Sequence, residues 1–380
     1  MKKVMFWMLV CAVVDVASAS SSLDNVTCQK CHPKIYEEYE NSAHKNASIY
    51  NDPIHKAVWD RHPAKKKGHY RCAKCHSPAD KSLQEKGATL VENATQRQEP
   101  ISCLSCHQIK DIKHAKKSNT NIYTDKKKLF FATDASKKGT VLRYHDKSTF
   151  FGLFKTRVGS PYHDIDYGNE NFYNAKVCLG CHDHKENGLE FAVCDMQIKE
   201  DNRSKENCIT CHMPQVKGPF VNLKSSDTHT YHGRSALTPK PTKLAKHILL
   251  SLQKEQGGFT IMIENKANHT LLSQPLRVGK LKVTRLRGAE KTVLDEVIFR
   301  RVIGHEGKPS MPWLATEVLK DTLLKAFEKR KIHYHDKLEK GDTLEVVFGY
   351  HIIAPEMAEK WDIEKKMADF IVLKKARFTP

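Results

Sequence analysis

Apolar positions divide the chain into two parts with different patterns. Before about residue 238, long periodic apolar runs are rare, and Lys, His, Asn and turn-forming residues dominate. Such a sequence offers little side-chain area for a hydrophobic core of its own. We therefore expect a mostly α-helical and irregular domain with little sheet over residues 20–238, built from short helices joined by long loops.

The pattern changes after residue 243. Residues 243–254 can place their leucines and isoleucine on one face of an amphipathic helix, so a helix is predicted there. Apolar and polar residues then alternate in five runs separated by turn residues, which is typical of antiparallel strands: 259–263, 281–286, 293–299, 343–348 and 370–373. Another helix is predicted within 313–330. The pattern and the length predict a small antiparallel β-sandwich-like domain over residues 243–380.

Two other segments mark predicted boundaries. Residues 237–242 contain two prolines, which exclude a regular helix and disfavour a central strand. At the start of the chain, two lysines precede a short apolar run and then Ala17-Ser18-Ala19, which has the form of a cleavage site. This pattern predicts a signal peptide over residues 1–19. We expect export to the periplasm, with the cell surface as the alternative, and no membrane span after cleavage.

The pattern Cys-x-x-Cys-His occurs five times. The composition gives about 0.02 copies by chance, so the repetition has a chemical cause. In chain order, motifs 1 to 5 are Cys28/Cys31/His32, Cys72/Cys75/His76, Cys103/Cys106/His107, Cys178/Cys181/His182 and Cys208/Cys211/His212. Two thiols at this spacing can add to the vinyl groups of one porphyrin, and the adjoining imidazole then binds the iron. The motifs predict five covalently bound haem c groups.

Zinc sites and redox disulfides are the other uses of paired cysteines. A zinc ribbon needs two pairs for each metal and no histidine after each pair, whereas a thioredoxin-like motif occurs once, on a βαβ unit. Five pairs that are each followed by histidine therefore favour haem. Cys194 is left over after the motifs and the predicted signal peptide. It is either an inert buried thiol or a thiol near a haem that ligates iron or handles a sulfur substrate.

The sixth iron ligands decide between electron transfer and catalysis. Two histidines give a six-coordinate haem suited to electron transfer, whereas an iron with an open face can bind a substrate. Ten further histidines before residue 238 are candidates: His44, His55, His62, His69, His114, His145, His163, His184, His229 and His232. Their number alone does not assign them.

Three stretches near the motifs carry a family resemblance. They are Tyr36-Glu-Glu-Tyr39-Glu-Asn-Ser42-Ala-His44, Ser160-Pro-Tyr-His163, and Cys208-Ile-Thr-Cys211-His212-Met213-Pro214 followed by His229-Thr-Tyr-His232-Gly233. These stretches resemble the multihaem cytochromes related to hydroxylamine oxidoreductase, octahaem tetrathionate reductase and pentahaem nitrite reductase. The resemblance implies His44, His163 and His229 as sixth ligands, with His232 as the alternative to His229. His55, after Asp52-Pro53, is the fourth choice, and the fifth ligand is unassigned.

The second part of the chain resembles the same family more loosely. Asn265-Lys-Ala-Asn268-His269 resembles the Asn-x-x-x-Gly-His that opens the β-domain in some of these cytochromes, and Lys320-Asp321-Thr322 resembles another recurring piece. The sequence departs from the enzymes of the family at their catalytic haems. It lacks the Cys-x-x-Cys-Lys motif of the nitrite reductases, and the extra haems and tyrosine cross-link of the hydroxylamine oxidoreductases are not visible.

Together these features predict a pentahaem cytochrome that carries electrons between a respiratory donor and a reductase or extracellular acceptor. The alternatives are a reductase or oxidase of a small nitrogen or sulfur species at an open haem, with no catalytic residue assigned, and a structural subunit of a larger cytochrome assembly. The formal net charge of +19 favours redox partners with acidic surfaces or a small anionic substrate. We expect no nucleic-acid partner, because no nucleic-acid-binding motif is present.

Overall fold

The computed structural model describes residues 24–149, 154–199, 206–222, 228–233 and 243–379. The predicted signal peptide and the predicted boundary at 237–242 lie outside these residues. Within the described ranges, no helix is long and apolar enough to cross a membrane.

Short helices carry or flank the cysteine motifs. The described residues contain nine α-helices of four to eight residues: α1 (Asn25–Gln29), α2 (Pro33–Glu40), α3 (Pro53–Asp60), α4 (Ala73–His76), α5 (Ala94–Gln98), α6 (Cys103–His107), α7 (Glu170–Tyr173), α8 (Cys208–His212) and α9 (Pro355–Lys360). Further single turns of 3-10 helix lie at Pro63–Lys67, Lys81–Gln84, Ala135–Lys137, Lys176–Gly180, Lys243–His247 and Lys365–Ala368. Helices this short position individual motifs and do not form a bundle.

The first part of the chain also contains many short strands. They are β1 (Ile109–Lys113), β2 (Thr120–Tyr123), β3 (Leu129–Phe131), β4 (Val141–Leu142), β5 (His145–Thr149), β6 (Phe154–Val158), β7 (Asp164–Asp166), β8 (His184–Glu186), β9 (Ala192–Asp195), β10 (Gln215–Lys217) and β11 (Thr228–Thr230). They form small sheets ordered β1-β2, β3-β7-β4, β5-β6, β8-β9 and β10-β11, in which only β3 and β7 run parallel among the described pairs.

The prediction of a mostly α-helical first domain with little sheet was therefore wrong. Each motif helix ends within a turn of its histidine, and the stretches between motifs pair with each other to satisfy their backbone N–H and C=O groups. Strands of two to five residues are too short to show a period of two in the sequence. This is why the alternation pattern did not reveal them.

The second part of the chain consists mainly of longer antiparallel strands. They are β12 (Ile248–Glu255), β13 (Gly258–Asn265), β14 (Val278–Arg287), β15 (Glu290–Val293), β16 (Val297–Phe299), β17 (Arg301–His305), β18 (Lys308–Pro309), β19 (Glu317–Asp321), β20 (Lys329–Tyr334), β21 (Thr343–His351) and β22 (Ile371–Phe378). The sheets are ordered β12-β13-β20, β15-β14-β21-β22 with β16 beside β14, and β18-β17-β19.

Two of these sheets face each other across one core. Phe259, Ile261 and Ile263 alternate on the inner face of β13 and are completely buried, as are Val346 and Phe348 of β21 in the other sheet. Full burial of such side chains stabilises the fold by about 1.5–3 kcal/mol each. The strands predicted at 259–263, 281–286 and 343–348 lie within β13, β14 and β21.

Both helices predicted in this part were wrong. Residues 243–247 form a 3-10 turn, and β12 follows at once and pairs with β13 along its whole length. Ile248, Leu250 and Leu252 alternate along β12 and pack against the core, so the same leucines fit a period of two as well as one of 3.6. Residues 313–330 contain strand β19 in place of a helix.

The two parts of the chain share packed surface. Ile54 and Ala57 of α3 lie in one apolar cluster with Ile353, Ala358 and Trp361. This cluster fixes α3 against α9, so the cysteine-rich and β-rich parts are in direct contact.

Candidate functional site

Each cysteine motif forms one helical turn. Motifs 3 and 5 are the helices α6 and α8, motif 2 ends in α4, and motif 4 begins in the 3-10 turn Lys176–Gly180. In motifs 1, 2 and 4, the backbone N–H of the histidine donates to the carbonyl oxygen of the first cysteine at 2.9 Å. Residues three and four apart share a helix face, so both thiols lie on the side that the histidine borders. None of the eleven cysteines in the described residues forms a disulfide.

Polar caps fix the two motif helices at their first turn. The Ser102 hydroxyl accepts from the N–H of Ser105 at 3.2 Å, and the Ser105 hydroxyl accepts from the N–H of Ser102 at 3.1 Å. Asn207 accepts from the N–H of Thr210 at 3.1 Å in the same way. Capping satisfies N–H groups that the helix leaves free and holds the cysteine that follows the cap.

Every motif histidine faces a second histidine. The ring centroids are 6.3 Å apart for His32 and His163, 6.2 Å for His107 and His232, 6.1 Å for His44 and His182, 6.2 Å for His212 and His269, and 3.9 Å for His55 and His76.

Four of these spacings match two ligands on one metal. Two imidazoles that bind one ion from opposite sides, each through a metal–nitrogen bond of about 2 Å, place their ring centroids about 6 Å apart. Packed aromatic rings also reach this distance, but packing alone does not explain why each partner of a Cys-x-x-Cys-His histidine is itself a histidine. The residues therefore fit a haem iron between each of these four pairs.

Known proteins agree with this geometry. Residues 27–108, which contain motifs 1 to 3, match the family described as cytochrome c554 and c-prime. The fold is similar to that of a penta-heme cytochrome c552 from Thermochromatium tepidum, with a TM-score of 0.68 and 17% identity over 94% of this chain and 99% of that chain. The chain is a multihaem c-type cytochrome. It binds haem c covalently.

The other comparisons add nothing to this conclusion. An E. coli curli protein, CsgC, aligns with a TM-score of 0.18 and 9% identity over 35% of this chain and 98% of that chain, which is too low to support an inference. No curated protein sequence matches the cytochrome.

Hydrogen bonds orient several of the paired rings in the cytochrome. The Nδ1 atoms of His32 and His107 lie 2.6 and 2.8 Å from the carbonyl oxygens of Phe220 and Phe131. On the opposite sides, the Nδ1 atoms of His232 and His269 lie 2.7 and 3.0 Å from the carbonyl oxygens of Thr230 and Thr270. A carbonyl oxygen only accepts, so each Nδ1 carries the proton and each Nε2 is left for a metal.

Burial keeps most of the paired rings neutral. Loss of hydration lowers the pKa of eight of the ten paired histidines: His44, His55, His76, His107, His163, His182, His212 and His232. The pKa falls to about 4 for His182, His212 and His232. A neutral imidazole has a lone pair for a metal, so burial prepares these rings as ligands before any metal binds.

The pair at motif 2 differs from the other four. The rings of His55 and His76 are 3.9 Å apart, too close for an iron between them, and both Nδ1 atoms lie 3.0 Å from the carbonyl oxygen of Ala47. The buried hydroxyl of Tyr70 is 3.3 Å from Nε2 of His55. An iron on His76 would require the His55 ring to move away by about 2 Å.

The predicted sixth ligands fall into two groups. His163, His55 and His44 face the histidines of motifs 1, 2 and 4. His229 does not face a motif histidine: its Nδ1 lies 2.9 Å from the carbonyl oxygen of Gly218, and its Nε2 lies 2.9 Å from the Glu38 carboxylate. Both ring nitrogens are engaged, so this position does not suit a ligand. His232 faces motif 3 in its place.

His269 faces motif 5 and was not predicted as a ligand. It lies in the β-rich part, where the Asn265 side-chain amide donates to its carbonyl oxygen at 2.9 Å. The neighbouring backbone bonds to the segment between motifs 4 and 5, from Lys199 N–H to Asn268 at 2.7 Å and from Thr270 N–H to Met196 at 2.9 Å. The candidates had been sought only before residue 238. The resemblance of residues 265–269 to a family pattern was the available signal.

Contacts between cysteines show which motifs are neighbours. The thiols of Cys28 and Cys103 lie close enough to shift each other's pKa, so motifs 1 and 3 are neighbours. The two thiols of motif 4 affect the pKa of Cys75 in motif 2 and of Cys208 in motif 5 in the same way. Cys106 of motif 3 interacts electrostatically with both thiols of motif 4. Motif 4 therefore adjoins three other motifs, whereas motif 1 adjoins motif 3.

Cys31 differs from the first cysteine of its motif. Among the described contacts, the thiol of Cys28 reaches a cysteine of another motif, whereas the partly buried thiol of Cys31 does not. The backbone of Cys31 is nevertheless fixed, because its N–H donates to the carbonyl oxygen of Cys28 at 3.1 Å and its own carbonyl oxygen accepts from the N–H of Asn222 at 2.9 Å. These two backbone hydrogen bonds hold Cys31 in the motif turn. Attachment of a porphyrin to Cys31 stays a prediction from the spacing.

The remaining motif cysteines lie in mixed surroundings. Burial raises the pKa of the Cys72 and Cys106 thiols to about 11. Cys181 is exposed, and the Asn121 side-chain amide lies 3.8 Å from its sulfur. Cys211 Sγ lies 3.7 Å from Nε2 of His247. These thiols have the motif spacing in common but lie in different environments. Only the spacing therefore supports haem attachment at them.

Cys194 lies on β9 and is partly buried, outside these contacts between motifs. Burial raises the pKa of its thiol, and Ser273, Arg277 and Arg301 lie near it. A thiol with a raised pKa is a poor nucleophile and a poor metal ligand at neutral pH. This environment suits an inert thiol.

Proposed function

We propose that the cytochrome carries five haem c groups, each attached through the two cysteines of a motif and ligated by two histidines. The observation that carries the proposal is the meeting of all five motif histidines with a second histidine. The proposed iron ligands, for motifs 1 to 5, are His32 with His163, His76 with His55, His107 with His232, His182 with His44, and His212 with His269.

Ligation by two histidines supports electron transfer as the function. A six-coordinate iron leaves no face for a substrate, and its ligands remain in place when the iron is oxidised or reduced. The protein supplies the ligands, their orientation and a buried environment, and the haem supplies the redox chemistry.

The neighbouring motifs support a branched path for electrons. The interactions between cysteines support an order in which the proposed haems of motifs 1, 3 and 4 lie in a row and those of motifs 2 and 5 each lie beside motif 4. Electrons that enter at motif 1 would pass motif 3 and reach the haem of motif 4. That haem would distribute them to motifs 2 and 5, so the path would have three ends.

The charge of the chain supports an acidic redox partner. A formal net charge of +19 attracts acidic protein surfaces over several ångströms and raises the rate of encounter, an effect that salt weakens. We place this exchange in the periplasm, as the pattern of residues 1–19 favours.

The second candidate is a reductase or oxidase of a small nitrogen or sulfur species. It requires an iron with an open face, and the specific observation in its favour is the short spacing of His55 and His76. If the His55 ring swings away without binding the iron, the haem of motif 2 has a free position beside Tyr70.

The decisive experiment is an EPR spectrum of the oxidised, haem-loaded cytochrome, with absorption spectra before and after addition of nitrite, hydroxylamine or sulfite. Electron transfer through five haems with two histidines each predicts low-spin signals only, and no spectral change with any of the three. A high-spin signal that shifts with one of them would overturn the proposal and identify an open iron. A haem-to-protein ratio from the pyridine haemochrome checks the number of haems.

A further inference from the structure

Glu38 bridges two histidines that were both candidates for the same iron. Its Oε1 lies 2.9 Å from Nε2 of His229, and its Oε2 accepts from the backbone N–H of His232 at 3.0 Å. The side chains of His229 and Glu38 are 1% and 9% exposed. A buried carboxylate with two directed hydrogen bonds holds its partners far more firmly than a surface ion pair does.

The bridge leaves His229 unable to bind a metal. Its Nδ1 donates to the carbonyl oxygen of Gly218 and its Nε2 lies 2.9 Å from the carboxylate, so both ring nitrogens already have hydrogen-bond partners. His232 is held differently: its Nδ1 donates to the carbonyl oxygen of Thr230, and its Nε2 has no such acceptor among the described contacts. The two rings are three residues apart on β11 and the loop after it, and only His232 faces His107.

The carboxylate comes from a distant part of the chain. Glu38 lies on α2, which begins directly after His32 of motif 1 and is 191 residues away from His229. The bond therefore ties the helix next to motif 1 to the loop that carries the ring facing motif 3. Motifs 1 and 3 are neighbours, so Glu38 links two segments that lie beside adjacent proposed haems.

We propose that Glu38 is a positioning residue that keeps His229 off the iron and presents His232 to the haem of motif 3. The inference rests on the proposed function, because it assumes a haem between His107 and His232. Without the carboxylate, His229 is released and the loop that carries His232 loses its backbone anchor. The haem of motif 3 then loses its sixth ligand in part of the molecules or exchanges one histidine for the other.

The test uses Glu38→Gln in the haem-loaded cytochrome. Glutamine has the size of glutamate but no negative charge and only one acceptor oxygen, so when that oxygen accepts from the His232 N–H, the amide N–H₂ faces Nε2 of His229 and a weaker neutral contact replaces the bond to the carboxylate. We expect about one fifth of the low-spin EPR intensity to change, either to high spin or to new g-values, and one of the reduction steps to shift in a potentiometric titration. Glu38→Ala removes both bonds and should enlarge the same change.

Glu37→Gln is the matched control. Glu37 lies on the same helix and loses the same charge on substitution, but its carboxylate is 67% exposed and pairs only with Lys34 among the described contacts. Its spectrum and potentials should equal those of the unchanged protein. If the Glu38→Ala protein does not take up haem, the spectrum and potentials of the isosteric Glu38→Gln protein still test the inference.

Two results would overturn the inference. Spectra and potentials of Glu38→Gln and Glu38→Ala that equal those of the unchanged protein would show that the carboxylate does not position the ligand. An equal effect of Glu37→Gln would show that charge alone is responsible. Failure of the proposed function is distinguishable, because it appears as a high-spin signal in the unchanged protein.

Discussion

A histidine binds iron only when one of its nitrogens is free, and the cytochrome controls this residue by residue. His32, His107, His232 and His269 each give the Nδ1 proton to a backbone carbonyl and keep Nε2 open. Second-sphere bonds of this kind orient a ring and raise its basicity. His229 differs from these four, because both of its ring nitrogens face acceptors and neither is free for a metal.

Replacing His269 should leave one iron without its proposed sixth ligand. His269→Ala removes the ring that faces His212 at 6.2 Å, so the proposed haem of motif 5 becomes five-coordinate. We expect a high-spin EPR signal from about one haem in five, and its return to low spin when imidazole is added. The control is His335→Ala, because His335 is exposed and should leave the spectrum unchanged. A low-spin His269→Ala protein without added imidazole would refute this ligand assignment.

Asp342 should make the β-rich part sensitive to acid. It is completely buried, and the hydrogen bonds from Arg287 at 2.8 and 2.9 Å hold its pKa at about 2, below the ordinary value of 3.8. Because the folded-state pKa is lowered, its contribution to stability is complete above about pH 4 and disappears as the pH falls through 2. Urea unfolding of the unchanged protein and of Asp342→Asn should differ most above pH 4 and converge towards pH 2.

Glu339 provides the comparison for that prediction. It also pairs with Arg287, at 3.0 Å, but its side chain is 59% exposed. Exposed pairs contribute little, so Glu339→Gln should unfold like the unchanged protein at every pH. A pH-independent difference between Asp342→Asn and the unchanged protein would contradict the role given to this carboxylate.

At the scale of elements, the close approach of two strands limits which residues can occupy a position between them. A Cβ on Gly258, the first residue of β13, would lie 2.2 Å from the backbone carbonyl oxygen of Tyr334 on β20. Real Cβ atoms do not approach an oxygen so closely, so the strands would have to separate. The neighbouring aromatic pair of Phe259 and Tyr334, stacked at 5.0 Å, would be disturbed as well.

Gly258→Ala should therefore destabilise the β-rich part. We expect a loss of about 1–3 kcal/mol in the free energy of unfolding, from overpacking at the strand pair. Chemical denaturation followed by tryptophan fluorescence or far-UV circular dichroism measures it. Gly188→Ala is the control, because no heavy atom lies within 4 Å of a Cβ placed there. Equal unfolding midpoints for the two variants would show that the close approach carries no cost.

Element prediction succeeded for three of the long strands, but it failed for the short strands and for the eight-residue β12, which was predicted as a helix. The eight- to ten-residue strands β13, β14 and β21 show clear alternation, since one face lies in the core and the other does not. The strands of the first part are only two to five residues long, and their pairing depends on distant partners such as β3 with β7. The division into domains at 20–238 and 243–380 remains a prediction.

At the scale of the whole molecule, the order of motifs in space differs from their order in sequence. Motif 4 is a neighbour of motifs 2, 3 and 5, and motif 1 is a neighbour of motif 3. The local pattern identified all five motifs, because attachment chemistry is confined to five consecutive residues. The pairing of histidines was harder to predict, since His32 and His163 are 131 positions apart and meet only through the fold.

The junction at motif 4 should be visible in the redox behaviour. His44→Ala removes the proposed sixth ligand of the haem at motif 4, and charge interactions should pass the change to the potentials of three neighbours. His163→Ala alters motif 1, for which the described residues give one neighbouring motif, motif 3. Spectroelectrochemical titrations should show more displaced reduction steps for His44→Ala than for His163→Ala. Equal numbers would contradict the branched path.

The position of His269 has a consequence for how the cytochrome is made. The motif that it completes ends at residue 212, yet the ring itself belongs to the β-rich part that is synthesised later. Attachment of the proposed porphyrin at motif 5 can therefore precede the binding of His269 to its iron, which has to wait until the later segment has folded. A chain that ends between residues 212 and 269 would be coloured and covalently attached to its proposed porphyrins. One of its irons would be open to oxygen or carbon monoxide. The colour of a gas-exposed sample would thus report whether the last step of maturation has taken place.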